Sequence, residues 1–209
     1  SRQPFDKRCP WPMGEENHIQ VDLSNPTQTI SVAEEIKTKL NGKLHALVNN
    51  AGISPKTLNG KRMNTLETDL HVWGEVFHVN FFASVVLAKS LKKELQAANG
   101  SIVNVTSIAG SRVHPFAGAA YATSKAALSA LTREMAYDFG PLGVRVNAIA
   151  PGEVETDILS KGSEKLAENL PLRRLGQPME VAKTIYFLCS DSSTYVTGSE
   201  VEVNGGQHI

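Results

Sequence analysis

Short apolar runs alternate along this chain with amphipathic segments, and each run stops abruptly in small or polar residues, a pattern that few folds accommodate. Residues 18–23, 44–49, 101–107, 144–150 and 198–204 are rich in Val, Ile and Leu and read as strands. Between them, Ile30, Ala33, Ile36 and Leu40 recur at helical spacing up to Gly42, and a longer series from Val72 to Leu95 predicts a helix over 69–96. Leu128, Leu131, Met135 and Phe139 carry a helix over 119–139 that Gly140-Pro141 stops, and Val181, Ile185 and Leu188 mark a last one over 180–189. Strands and helices in alternation predict an α/β fold, a doubly wound, Rossmann-like parallel sheet with helices on both faces. At 209 residues the chain suits a single domain over 1–209. Residues 53–68 and 153–177 are polar and broken by Pro and Gly, and read as a surface loop and a flap.

In such sheets a ligand lies outside the carboxyl ends of the strands. Asp22, the turn Asn49-Asn-Ala-Gly52, Ser107 and Pro151-Gly152 all fall at predicted strand ends. On the helix over 119–139, Tyr121 and Lys125 stand one turn apart, and residues at i and i+4 are side-by-side neighbours. A phenol has an ordinary pKa of about 10, too high to exchange protons readily near neutrality. An adjacent ammonium favours the phenolate and so lowers that value, which suits general acid/base work on an alcohol or carbonyl. The same five residues are also what an ordinary packed helix surface presents.

Other chemistries find little support. The 21 basic and 21 acidic residues cancel without a basic stripe, so neither nucleic acid nor a membrane surface is an expected partner. There is no uninterrupted 18-residue apolar run and no signal-peptide pattern. Cys9 and Cys189 are too far apart for a disulfide framework or a metal-ligand spacing, and the six histidines form no ligand pair, so no metal is expected. A reducing, cytoplasmic setting fits these two cysteines best.

Taken in order, Asn49-Asn-Ala-Gly52, Asn80, Ser107, Tyr121-x-x-x-Lys125, Pro151-Gly152 with Thr156, and Asn204-Gly-Gly resemble the short-chain dehydrogenase/reductase family, in particular its 3-oxoacyl-carrier-protein-reductase-like members. The resemblance covers nearly everything from His18 to Ile209. It implies an oxidoreductase that moves a hydride between NAD or NADP and a carbonyl or secondary alcohol. Tyr121 would be the general acid/base, Lys125 would lower its pKa and hold the nicotinamide ribose, and Ser107 would hydrogen-bond the substrate oxygen. Asn80 would sit at a distortion of its helix and hold a water linking Lys125 to solvent. Asp22 and Leu23 would meet the adenine ring, Asn50, Ala51 and Gly52 would lie on the adenosine side, and Pro151, Gly152 and Thr156 would contact nicotinamide and pyrophosphate. As residues alone, Ser107 also suits a turn hydroxyl, Thr156 a helix cap and Asn80 an ordinary helix position.

The family's glycine-rich turn has no counterpart upstream of Asp22. Matching the motifs in register places roughly 35 to 45 family positions, a whole β-α-β unit, before Ser1, so that unit is expected to be missing from this chain. The segments 53–68 and 153–177, with the loop around His114-Pro-Phe116, are expected to grip a small-molecule substrate. The long helices over 69–96 and 119–139 are expected to pair in a homodimer or homotetramer. A catalytically silent scaffold of the same fold is the alternative function.

Overall fold

The computed structural model describes residues 2–5, 15–156 and 162–209. Four strands, β1 (Ala46–Asn49), β2 (Ser101–Val105), β3 (Arg145–Pro151) and β4 (Glu200–Val203), form one sheet in that order, every pair parallel. The helices are α1 (Pro26–Lys39), α2 (Leu70–Phe77), α3 (Ala83–Ser90), α4 (Lys92–Ala97), α5 (Ala119–Phe139) and α6 (Pro178–Cys189). Side chains alternate across a strand, so the sheet builds two cores. On one face Ile102 and Val146 pack with Leu91, Leu95, Met135 and Ala136. On the other, Val103, Val105 and Ile149 meet Leu188, Val181 and Ile185 of α6. Burial on both faces is why the central strands read as apolar runs.

Two strand expectations change. Residues 18–23 are not a strand: no described segment supplies them with a ladder partner, and a strand without one leaves its backbone groups to water. Instead the Asp22 carboxylate accepts the Ser24 N–H at 3.0 Å and its hydroxyl at 2.8 Å, turning the chain toward α1, where Asn25 caps Gln28. The strand over 44–49 is parallel as expected but shorter, and only Asn49 of it is buried, because β1 lies at the edge of the sheet among the described residues and leaves Val48 39% exposed.

The helix expected over 69–96 is interrupted twice. A π-turn, His78–Phe82, separates α2 from α3, and Leu91 breaks the run before α4. Single π-turns inside α-helices are frequent at functional sites. This one points Asn80 inward, 1% exposed, where Oδ1 accepts Ile53 N–H at 2.8 Å and Nδ2 donates to the Ile53 carbonyl at 3.1 Å and to Ser124 Oγ at 3.0 Å. One side chain thus fixes the loop after β1 against α5.

A buried polar ladder ties the sheet to the same helix. Asn49 Nδ2 donates to Asn104 Oδ1 at 2.8 Å, and Asn104 Nδ2 donates to Thr132 Oγ1 at 2.9 Å. Asn104→Ala leaves both neighbours short of a partner in the interior and is expected to destabilise the chain by roughly 2–4 kcal/mol in urea unfolding. A loss under about 0.5 kcal/mol would show that water or rearrangement replaces the ladder.

Candidate active site

The site forms where β2 and β3 end. Asn50, Gly52, Ser107, Tyr121, Lys125, Pro151, Gly152 and Thr156 line one cleft of about 1170 Å³. Of the residues read from the sequence, Asp22, Leu23, Ala51 and Asn80 are not on its wall. Asp22 is held by Ser24 in the turn before α1, and Ser24's backbone N–H and hydroxyl keep its carboxyl below the usual range. Ala51 faces outward, and Asn80 lies behind the cleft as a brace.

Lys125 is 3% exposed, and its Nζ donates to the Val105 carbonyl at 2.6 Å, just where β2 ends. Burial alone brings its pKa from 10.5 down to about 8, because a desolvated ammonium is disfavoured. Nζ lies 5.8 Å from the centre of the Tyr121 ring. The Tyr121 ring is half-buried, with its hydroxyl set deep, and its pKa is raised, opposite to the sequence expectation. Desolvation is the main cause; the Ser107 hydroxyl pulls the value down, and the charge of Glu153 pushes it up. The expectation that Lys125 lowers the phenol's pKa neglected how deeply both groups sit.

Ser107 is placed by the turn that follows β2. It caps the short 3₁₀ helix Ile108–Gly110, its Oγ accepting the Ala109 N–H at 3.2 Å. That helix lies so close on α5 that a Cβ at Gly110 would come within 2.9 Å of Ala126 N and 3.0 Å of the Lys125 carbonyl carbon. Only glycine lets Ser107 approach Tyr121 this way. Gly152 is likewise required by packing, since a Cβ there would fall 2.9 Å from Asn204 Cα. The Pro-Gly and terminal Asn-Gly-Gly motifs are therefore two sides of one contact.

Residues that sequence reasoning did not single out complete the wall. Lys56 from the 53–68 loop and Glu153 from the flap face the cleft with His114 and Phe116. Lys56 Nζ donates to the Phe116 carbonyl, and Arg62 Nε to that of Ala117 at 2.8 Å, which joins two of the expected substrate loops. The only local signal was polarity within segments already expected to line a pocket.

The cleft suits a group with ribose-like hydroxyls. Lys125 has one acceptor among the described residues, which leaves two N–H donors at the wall beside Gly52, and Asn50 and Thr156 line the same cleft.

Comparison with known proteins gives a consistent picture. A family model described as enoyl-(acyl carrier protein) reductase matches residues 9–208. Protein FixR of Bradyrhizobium diazoefficiens is 60% identical over 212 residues, covering 100% of this chain and 76% of that protein. A 3-oxoacyl-acyl-carrier-protein reductase, FabG of Aquifex aeolicus, is 38% identical over 197 residues, covering 90% of this chain and 75% of its own. Among solved structures, an oxidoreductase of the short chain dehydrogenase/reductase family from Brucella ovis, in complex with partially ordered NAD, superposes with a TM-score of 0.82 at 58% identity. It is matched over 97% of this chain and 85% of that one.

The buried lysine has a pH signature. Its folded pKa lies below the unfolded value, so the penalty for holding the ammonium is complete below about pH 8 and fades toward 10.5. The shift corresponds to roughly 3 kcal/mol. Measured by urea unfolding, the wild type should gain stability relative to Lys125→Met as pH rises through that window. A pH-independent difference would mean that the ammonium is not desolvated.

Proposed function

The chain belongs to the short-chain dehydrogenase/reductase family, and from that premise we propose that it is a nicotinamide-dependent oxidoreductase interconverting a carbonyl and a secondary alcohol. The observation that carries this reading is the convergence of Tyr121, Lys125 and Ser107 in one cleft at the carboxyl edge of a parallel sheet. NAD or NADP, when bound, supplies the hydride. Lys125 would hold its nicotinamide ribose, Pro151, Gly152 and Thr156 would contact nicotinamide and pyrophosphate, and Asn50, Ala51 and Gly52 would lie on the adenosine side; Asp22 and Leu23 remain the candidates for the adenine end.

Ser107 orients the substrate oxygen, and Tyr121 Oη gives that oxygen a proton in reduction or takes one in oxidation. Burial raises the pKa of the phenol, so Tyr121 rests protonated and serves as the proton donor when a carbonyl is reduced. Lys125 places positive charge near the phenolate that forms as the proton leaves. Asn80 acts through position, locking Ile53 and Ser124 around this group.

Assembly is part of the same reading. Leu70–Ser90 is long and apolar enough to cross a membrane by length and composition, yet its inner stripe of Val76, Val79, Asn80 and Ser84 is buried in this chain. Outside that stripe Trp73, Phe77 and Phe81 form a run of ring contacts at 6.4 and 6.2 Å, and Leu70 and Phe82 are exposed. A second copy covering this face accounts for it. The half-buried free thiol of Cys189 fits a reducing, cytoplasmic setting.

Two measurements follow. With reduced cofactor and a panel of ketones, Tyr121→Phe should lose roughly 10²- to 10⁴-fold in turnover while keeping its melting midpoint and cofactor affinity. Retention of more than about a tenth of the rate by the variant would remove Tyr121 as the proton donor. Light scattering at micromolar concentration should give two or four times the mass of one chain, 22.6 kDa. A single-chain mass would discard the paired-helix assembly.

A further inference from the structure

Glu153 directly follows the Pro151-Gly152 end of β3, and its backbone is clamped: Gly176 N–H donates to the Glu153 carbonyl at 2.8 Å, and Glu155 N–H to that of Gly176 at 3.0 Å. The clamp holds its side chain, 9% exposed, on the wall of the cleft that Tyr121 and Ser107 share. A carboxylate so placed needs a donor or a counter-charge. Its neighbour is the equally buried His114, whose Nε2 lies 2.6 Å from Oε1 but off the line a ring N–H bond requires, so that Nε2 has no hydrogen bond. His114 Nδ1 accepts the Phe116 N–H at 3.3 Å, which puts a ring proton on Nε2. No side chain among the described residues donates a hydrogen bond to the Glu153 carboxylate. Lys56, within the field of Glu153, donates to the Phe116 carbonyl.

This charge is not explained by proton transfer, since it opposes ionisation of Tyr121. Nor would a structural tie between two loops need it, because a neutral amide would serve. What the carboxylate lacks is a donor from the cleft, since His114 Nε2 is sealed from it. A hydroxyl supplies one, an alkyl group does not, and an ammonium would add a second cation beside Lys56.

Resting on the oxidoreductase reading, we propose that Glu153 and His114 are specificity determinants that receive a hydroxyl close to the reacting carbon, so that the substrates are hydroxy ketones and the matching diols. The substrate O–H donates to the Glu153 carboxylate, which His114 backs from the buried side.

The test compares 1-hydroxy-2-butanone with 3-pentanone, and 4-hydroxy-2-butanone with 2-pentanone, pairs that differ by hydroxyl against methyl. For the hydroxylated member of at least one pair, kcat/KM should be higher by roughly 10- to 100-fold in the wild type, as expected for a charge-assisted hydrogen bond. Glu153→Met should bring that ratio within about threefold of unity, and Glu153→Gln, which keeps a weaker acceptor, should fall between. Binding of the same four ketones, measured by saturation-transfer NMR, should follow the same order. Turnover without hydroxyl preference, or a preference that survives Glu153→Met, overturns this proposal and leaves the oxidoreductase reading standing. If no carbonyl is turned over, that reading fails, and binding decides this one alone: hydroxyl-dependent binding lost in Glu153→Met supports it, and equal binding of both members of each pair overturns it.

Discussion

A charged lysine held out of water at the end of β2 is the constraint to which most of the site answers. Desolvating the Lys125 ammonium is unfavourable, and the one carbonyl it reaches, that of Val105, offsets only part of that. The surroundings must therefore be rigid enough to prevent its escape. Gly110 lets the turn after β2 seal directly onto the α5 backbone, and Asn80 pins the loop after β1 from the other side. Neither residue needs to touch a reactant to matter; together they decide where the ammonium and the phenol can be.

The same burial sets the protonation of the site. Tyr121 and Lys125 are both pushed toward their neutral forms, the phenol upward and the ammonium downward. At neutral pH the proton stays on the phenol, and it is a protonated phenol that a carbonyl oxygen needs when it is reduced. Glu153 reinforces this state from the substrate side. Acid/base chemistry and substrate recognition thus share one low-dielectric pocket, and a change on one side alters the electrostatics of the other.

Much of this was legible in the sequence, for physical reasons. Strands buried on both faces must be apolar throughout, so β2 and β3 stood out, and the spacing of Tyr121 and Lys125 on a helix brings them together whatever surrounds it. Residues 18–23 misled because a local pattern records the propensity for a strand and not the presence of a partner. The direction of the Tyr121 shift was missed because charge proximity is visible along a helix, whereas depth is a property of the whole fold. Glu153 escaped notice for a related reason: its burial depends on the bridge between Val154 and Gly176, which lie far apart in the chain and carry no shared pattern.

Because desolvation at the Tyr121–Lys125 pair underlies the whole scheme, the most direct measurement is the titration of Tyr121 itself. The chain has 4 tyrosines. Tyr137, Tyr186 and Tyr195 are 84%, 75% and 103% exposed, so one buried phenol stands apart from three in water. With tyrosine labelled by ¹³C at Cζ, and the Tyr121 signal identified by its loss in Tyr121→Phe, the Tyr121 resonance should titrate above the ordinary phenol value of about 10. A Tyr121 signal that titrates at or below that ordinary value would show that the phenol is not desolvated, and the account of a pair governed by burial would be wrong.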